Sequence, residues 1–228
     1  MLFKDEHDFS LLPKIVFMTA ISGACLLAGY LMFADKNNLI SFLKPYAING
    51  NLTRQLIITF FCWFYVVRLF ITNFIFLKRK MEWREMLFVS GLMSFALFSF
   101  ARAGGNSTQS IVALDYFSIF LFLFGSWLNT WSEYTRYIWK KDERNKGRLY
   151  TVGLFKYSMH INYFGDVVLF TGFALITWKF SFLMIPFAMF LIFIFFIIPR
   201  LDKYLAEKYR DEFKEYASKT KKLIPWIY

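Results

Sequence analysis

Six long apolar stretches limit what this chain can become: about Ile15–Ala34, Gln55–Leu77, Met86–Ala101, Ile111–Leu128, Phe164–Trp178 and Phe180–Pro199. A helix needs about 20 apolar residues to cross the hydrocarbon of a bilayer. The stretches therefore predict an all-α, polytopic integral membrane helix bundle of about six transmembrane spans. The third is short, and Arg68 interrupts the second. The fifth and sixth almost touch, which predicts a tight helical hairpin. The first lacks the small-residue cleavage site of a signal peptide and is read as a span.

Composition agrees. At 57% hydrophobic and 22% aromatic, with 31 phenylalanines in 228 residues, the chain is too apolar for the surface of a soluble domain of this size. The same numbers exclude disorder. The two cysteines, Cys25 and Cys62, lie in apolar runs and exclude a disulfide scaffold and a Cys-rich metal site. No internal repeat, low-complexity tract or soluble domain is visible, so 1–228 reads as one membrane domain.

The basic residues set the orientation. The N-terminus, the loop near 78–85, the segment 132–163 and the tail after Pro199 carry 2, 4, 7 and 8 Lys or Arg, whereas the other three loops carry 3, 1 and 1. Cytoplasmic loops are enriched in Lys and Arg, so an even number of spans with both termini cytoplasmic is expected. The net charge of +11 is then loop charge, and no nucleic-acid partner is expected. Segments 132–163 and 200–228 are expected to face the cytosol together, in a bacterial inner membrane or the endoplasmic reticulum. In the tail, Leu201, Tyr204, Leu205, Phe213 and Tyr216 recur near helical spacing among charges. The apolar end, 223–228, is expected to dock.

Ionisable groups inside a membrane are costly and mark candidate sites. Arg68 is a candidate ligand for an anionic cofactor group, whereas Asp115, in the first turn of the fourth span, reads as an interfacial carboxylate. At the end of that span Asn129, Glu133, Arg136 and Lys140 fall within roughly a 60° arc of one helix face. Such a stripe could hold a ribose, an amide and phosphates. Residues 153–166 then bring His160, Asn162, Tyr163 and Asp166 to the start of the fifth span, with Gly165 permitting close approach. There is no GxGxxG, Walker loop, HExxH or CxxC, so a nucleotide would bind without a Rossmann domain. With only His7 and His160 in the chain, neither a Ser-His-Asp site nor a metal site is expected.

Four segments together resemble the integral-membrane steroid 5-alpha-reductase and sterol reductase superfamily: GLFKYSMHINYFGD (153–166), NTWSEYTRYIWKKDERNKGRLY (129–150), RKMEWREM (79–86) and LIPWIY (223–228). The resemblance covers roughly residues 60–228 and looks closest to bacterial-type members of unassigned substrate. It implies NADPH-dependent reduction of a carbon–carbon double bond in a steroid, sterol or isoprenoid-like lipid, in a cytosol-facing cavity. By position it implies cofactor contacts at Arg68, Asn129, Glu133, Lys140, Asn162, Asp166 and Arg200. The stripe and the convergence at 160–166 add Arg136, His160 and Tyr163. Tyr65 of the Tyr-x-x-Arg pattern is the implied proton donor, with Asp166 as the alternative.

The departures narrow the substrate. Steroid 5-alpha-reductases carry a carboxylate on the span before the Tyr-x-x-Arg helix, and none lies within Ile15–Ala34; Asp35 is at its far end. Met159-His160-Ile161 stands where the family has Arg-His-Pro, and the chain has about one span fewer. The isoprenylcysteine and phospholipid methyltransferases, which bind S-adenosylmethionine, resemble the same C-terminal bundle and give the alternative function. A third reading is a non-catalytic lipid-binding protein on the same fold.

Overall fold

The computed structural model describes residues 9–35 and 39–228, so His7 lies outside the described residues. These form helices α1 (Leu11–Phe33), α2 (Leu52–Ile71), α3 (Trp83–Gly105), α4 (Ala113–Lys141), α5 (Ile161–Leu175), α6 (Met184–Ile192) and α7 (Ile198–Lys219), with no strand among the described residues. All six apolar stretches are helical. Four segments are long and apolar enough to cross a membrane: Leu11–Phe33, Leu52–Phe76, Trp83–Gly105 and the continuous run Phe180–Lys219. The chain is a polytopic helical membrane protein.

The third span is not short. It runs for 23 residues, because Trp83–Glu85 at one end and Arg102–Gly105 at the other stay helical without being apolar. The fourth and fifth passes differ from the other four. Helix α5 has 15 residues, about 22 Å at 1.5 Å per residue, against a hydrocarbon thickness of about 30 Å. Helix α4 has 29, but its second half is polar. These two form the most closely packed helix pair in the bundle. Glycines make that possible. A Cβ at Gly165 would lie 2.8 Å from the backbone nitrogen of Asn129 and from the Gly125 carbonyl, and one at Gly172 would lie 2.6 Å from the Phe122 nitrogen. Without a hydrophobic drive between helices in lipid, such close backbone approach is a principal source of association.

Phenylalanine fills the centre. Phe61 of α2 stacks on Phe122 of α4 at 3.8 Å, and Phe100 of α3 stacks on Phe173 of α5 at 4.9 Å. The rings of Phe61 and Phe173 meet edge to face at 5.3 Å, so four helices share one aromatic cluster. Many other phenylalanines, Phe88 and Phe95 among them, point outward and supply the lipid-facing surface.

The loops gather at two ends. At one, the Asn51 N–H donates to Ser107 and Gln55 Nε2 to Gly105. Asp115 is here, fully buried within the bundle. Arg54 of α2 grips both of its carboxylate oxygens, with Nη2–Oδ2 at 3.0 Å. Trp178 Nε1 and the Val112 N–H donate to the same carboxylate, each at 2.9 Å. Arg54 also donates to the carbonyls of Ile176, Gln109 and Ser110. The pair thus pins the start of α2 to the start of α4 and the end of α5.

At the other end, Lys14 Nζ donates to the Leu77 carbonyl at 2.8 Å and the Met81 N–H to Ser10 Oγ. Segments 77–85, 132–163 and 200–228 meet here, as the charge distribution anticipated. Helix α6 continues into α7 through a π turn at Phe193–Ile197, directly ahead of Pro199, which has no N–H to donate to the preceding turn. Arg210 (φ 48°) breaks α7 in two. Beyond it Phe213 and Tyr216 are buried against Leu149 and Met159. Of the terminal 223–228, Leu223 is fully buried whereas Trp226 and Ile227 are exposed. The end docks through one side chain and its backbone.

Removing one partner of a buried ion pair costs about 3–5 kcal/mol, whereas replacing both with apolar residues of similar size is often neutral. Arg54→Met or Asp115→Leu alone should therefore lower the thermal midpoint of the detergent-purified protein sharply. The double substitution should recover a large part of the loss; additive losses in the cycle would refute a coupled pair.

Candidate functional site

The site residues assemble at the basic end, around the last turn of α2. Tyr65 and Arg68 are one turn apart, so they share a helix face and both are buried. Arg68 Nη2 donates to Asp166 Oδ1 of α5 at 2.8 Å. The guanidinium also lies over the Tyr65 ring, 4.9 Å from its centre. Two further nitrogens of Arg68, Nε and Nη1, are buried without a hydrogen-bond partner. Each such donor costs about 1–3 kcal/mol while unsatisfied, so the pocket around Arg68 favours an acceptor. The Tyr65 hydroxyl donates to the Met93 sulfur of α3 at 3.5 Å, a weak acceptor that a better one could replace.

The close α4–α5 contact carries the network onward. Because Gly165 admits α4, the Asn129 amide reaches the Asn162 carbonyl at 3.0 Å, one helical turn from Asp166 on α5. Asn162 Nδ2 donates to Glu133 Oε1 at 2.8 Å, and the other oxygen of Glu133 takes Arg136. Tyr65, Arg68, Asp166, Asn129, Asn162, Glu133 and Arg136 therefore form one connected polar path from α2 through α5 to the exposed turn of α4. Tyr163 is stacked between His160 and Phe193 of the π turn, at 5.8 and 4.7 Å.

Besides Tyr163, three expected residues stand outside that path. His160 is almost fully buried and its Nε2 pairs with Asp202 of α7 at 2.8 Å, with Lys222 Nζ 3.6 Å from the other carboxylate oxygen. Lys140 donates to the Arg148 carbonyl and to Tyr209 Oη, closing the 142–149 loop onto α7. Arg200 is exposed, two residues before Asp202.

A strap of backbone covers His160. The Met159 and His160 N–H groups donate to the carbonyls of Lys221 and Lys222, and Ser158 Oγ donates to Leu223 at 2.7 Å. Tyr216 Oη donates to the Phe155 carbonyl at 2.6 Å, and burial pushes this phenol up, which keeps it a donor. Asp202, Lys222 and Met93 were not among the sequence candidates. Asp202 is 42 residues from His160, and nothing local in the tail marks it as that partner. No cluster of three or more His, Cys, Asp or Glu among the described residues is placed to hold a metal ion.

Residues 78–220, more than half of the chain, match the model of a family described as a protein of unknown function, DUF1295. A segment of 112 residues, 49% of the chain, is 31% identical to 3-oxo-5-alpha-steroid 4-dehydrogenase 2 of Rattus norvegicus. That segment spans 42% of the length of the rat protein. The chain belongs to the DUF1295 family, within the steroid 5-alpha-reductase superfamily.

The strap makes a direct prediction. Asp202→Ala removes the carboxylate that His160 and Lys222 share, so limited trypsin digestion should cut after Lys219, Lys221 and Lys222 faster than in the parent protein. Equal cleavage rates would show that the backbone bonds alone hold the strap.

Proposed function

We propose that this protein is an NADPH-dependent reductase of a carbon–carbon double bond in a steroid, sterol or other lipid, working at the cytosolic end of the bundle with both termini in the cytoplasm. The observation that carries the reading is the buried guanidinium of Arg68, with two unpartnered N–H groups beside Tyr65 and Asp166. Membership of the superfamily and the oxidoreductase name of the rat relative support it. Four spans with little polar content give a lipid direct access from the bilayer.

The residues present suit an anionic dinucleotide. Arg68 offers two donors to a phosphate, and Arg136 and Arg200 add charge at the rim, where a charge-assisted bond is strong. Glu133, Asn162, Asn129 and Asp166 offer acceptors and amides for ribose hydroxyls and a carboxamide. Tyr163 presents a ring face. His160 and Lys140 already have partners, so their part is to hold segment 153–166 and loop 142–149 around the cofactor. When bound, the cofactor supplies a hydride.

The chain's own residues manage the proton. The Tyr65 hydroxyl turns from the Met93 sulfur to the substrate and donates its proton, and the Arg68 guanidinium against its ring stabilises the phenolate that remains. Asp166, bonded to Arg68, can return the proton or supply it directly. Helix α1 carries no carboxylate facing this group, so polarisation of a 3-keto oxygen by an acid on that helix is not part of the mechanism.

Tyr65→Phe should lower turnover by about 100-fold or more, the scale of general-acid catalysis, while leaving NADPH affinity within about twofold; full turnover in that variant would remove Tyr65 from the mechanism. Binding of NADPH, NADH and S-adenosylmethionine, compared side by side, tests the reading as a whole. Tight NADPH binding that is lost in Asp166→Ala is expected. Binding of S-adenosylmethionine alone would make the protein a methyltransferase, and binding of none would make it non-catalytic.

A further inference from the structure

The chain's two cysteines, Cys25 and Cys62, are both buried, at 4% and 3% exposure, and both are free thiols. The proposed reaction uses neither. Their relation follows from the register of α1 against α2, which three contacts fix. Lys14 Nζ bonds the Leu77 carbonyl at 2.8 Å, Asn73 Nδ2 lies 4.0 Å from the Met18 sulfur, and Thr59 Oγ1 lies 3.8 Å from the Met32 sulfur. In this antiparallel register each step along α1 is one step back along α2. Cys25 then stands opposite Val66, one turn from Cys62 and beside Tyr65. Cys25 and Cys62 are thereby neighbours across the α1–α2 interface, about one helical turn apart in register. Both belong to the core cluster that holds Phe61 and Tyr65.

We propose that Cys25 and Cys62 form a reversible intramolecular disulfide, with lipid hydroperoxides as the oxidant, that ties α1 to α2 next to Tyr65. Water-borne oxidants reach this interface poorly, whereas a hydroperoxide on an acyl chain or sterol partitions into the bilayer that surrounds it. The first thiol attacks the terminal oxygen of the hydroperoxide, the O–O bond breaks, and an alcohol leaves with a proton, giving a sulfenic acid. The second thiol attacks the sulfenic sulfur and expels water. The sulfurs lose two electrons and the hydroperoxide gains them. A disulfide usually holds its Cα atoms about 4.4–6.8 Å apart. Drawing α1 onto the turn of α2 that carries Cys62 moves Tyr65, three residues on, relative to Met93. The oxidised protein therefore loses its turnover until a thiol reductant opens the bond.

The test uses the full chain, purified in detergent and reduced. It is treated with cumene hydroperoxide or with hydrogen peroxide, unfolded, alkylated with N-ethylmaleimide and weighed intact. With only these two cysteines, the readout is unambiguous. The expected result is loss of both alkylation sites together with a mass lower by two hydrogens, reversed by dithiothreitol. The organic peroxide should act at least about tenfold faster than hydrogen peroxide, because access sets the rate. Oxygen added to one cysteine without cross-linking, covalent dimers, or two thiols still open to alkylation would each overturn the proposal. So would equal rates with the two peroxides. Cys62→Ser must abolish the cross-link, and its far-ultraviolet circular dichroism reports whether it folds.

The activity arm rests on the reductase reading and is separable from the thiol chemistry. Turnover that falls in step with cross-linking supports the coupling to Tyr65, and a cross-linked protein with full turnover overturns it. A reduced protein with no turnover on any lipid overturns the reductase reading, while the mass measurement decides the disulfide on its own.

Discussion

A charged guanidinium inside a membrane bundle must be compensated, and helix α2 carries one near each end. The two are compensated differently. Arg54 meets a carboxylate and three carbonyls, and only its Nε is left without a partner. Arg68 meets one carboxylate oxygen, with Nε and Nη1 left over. The first arrangement is nearly closed and works as a structural pin. The second is open, with two spare donors on a guanidinium that lies between the Tyr65 phenol and the Asp166 carboxylate. Intramembrane charge is retained where it is used, and the difference in saturation separates the two uses.

The open pair also explains why α4 and α5 approach so closely. Asp166 must reach Arg68 from α5 while Asn162, one turn earlier, meets Glu133 and the Asn129 amide on α4. That double reach requires Gly125 and Gly165 to bring the two backbones together. A side chain at either position would separate the helices and disconnect the path. The short α5 and the polar second half of α4 are thus parts of one device. The other passes supply the length and apolarity that hold it in the bilayer. The tail closes the same end from outside, by backbone bonds to 158–160 and by Asp202 on His160.

Local patterns in the sequence carried the architecture a long way. Apolar run length located the helices, four of them in segments long and apolar enough to cross a membrane, and the 100° step of the helix placed Asn129, Glu133 and Arg136 on one face, which the bonds to Asn162 bear out for Glu133 and Asn129. Span ends were less legible. Polar residues such as Arg84, Glu85 and Arg102 remain helical beyond the apolar run, and α5 begins at Ile161 rather than Phe164. Pairings across long separations were not legible at all. Arg54 and Asp115 are 61 residues apart, and Asp115 alone looks like an ordinary interfacial acid. His160 and Lys140 carried the right chemistry for a cofactor, yet the fold commits them to Asp202 and to Arg148 and Tyr209.

In the proposed reductase, the spare donors of Arg68 receive an anionic group of the cofactor. The direct measurement is the NADPH affinity of the parent protein against Arg68→Lys and Arg68→Gln, titrated at two salt concentrations with folding checked by thermal melting. A hydrogen bond to a charged partner contributes about 1.5–3 kcal/mol. Arg68→Gln, still folded, should bind NADPH about 10- to 100-fold more weakly, with Arg68→Lys between it and the parent protein. A folded Arg68→Gln protein with unchanged affinity at both salt concentrations would contradict this role of Arg68.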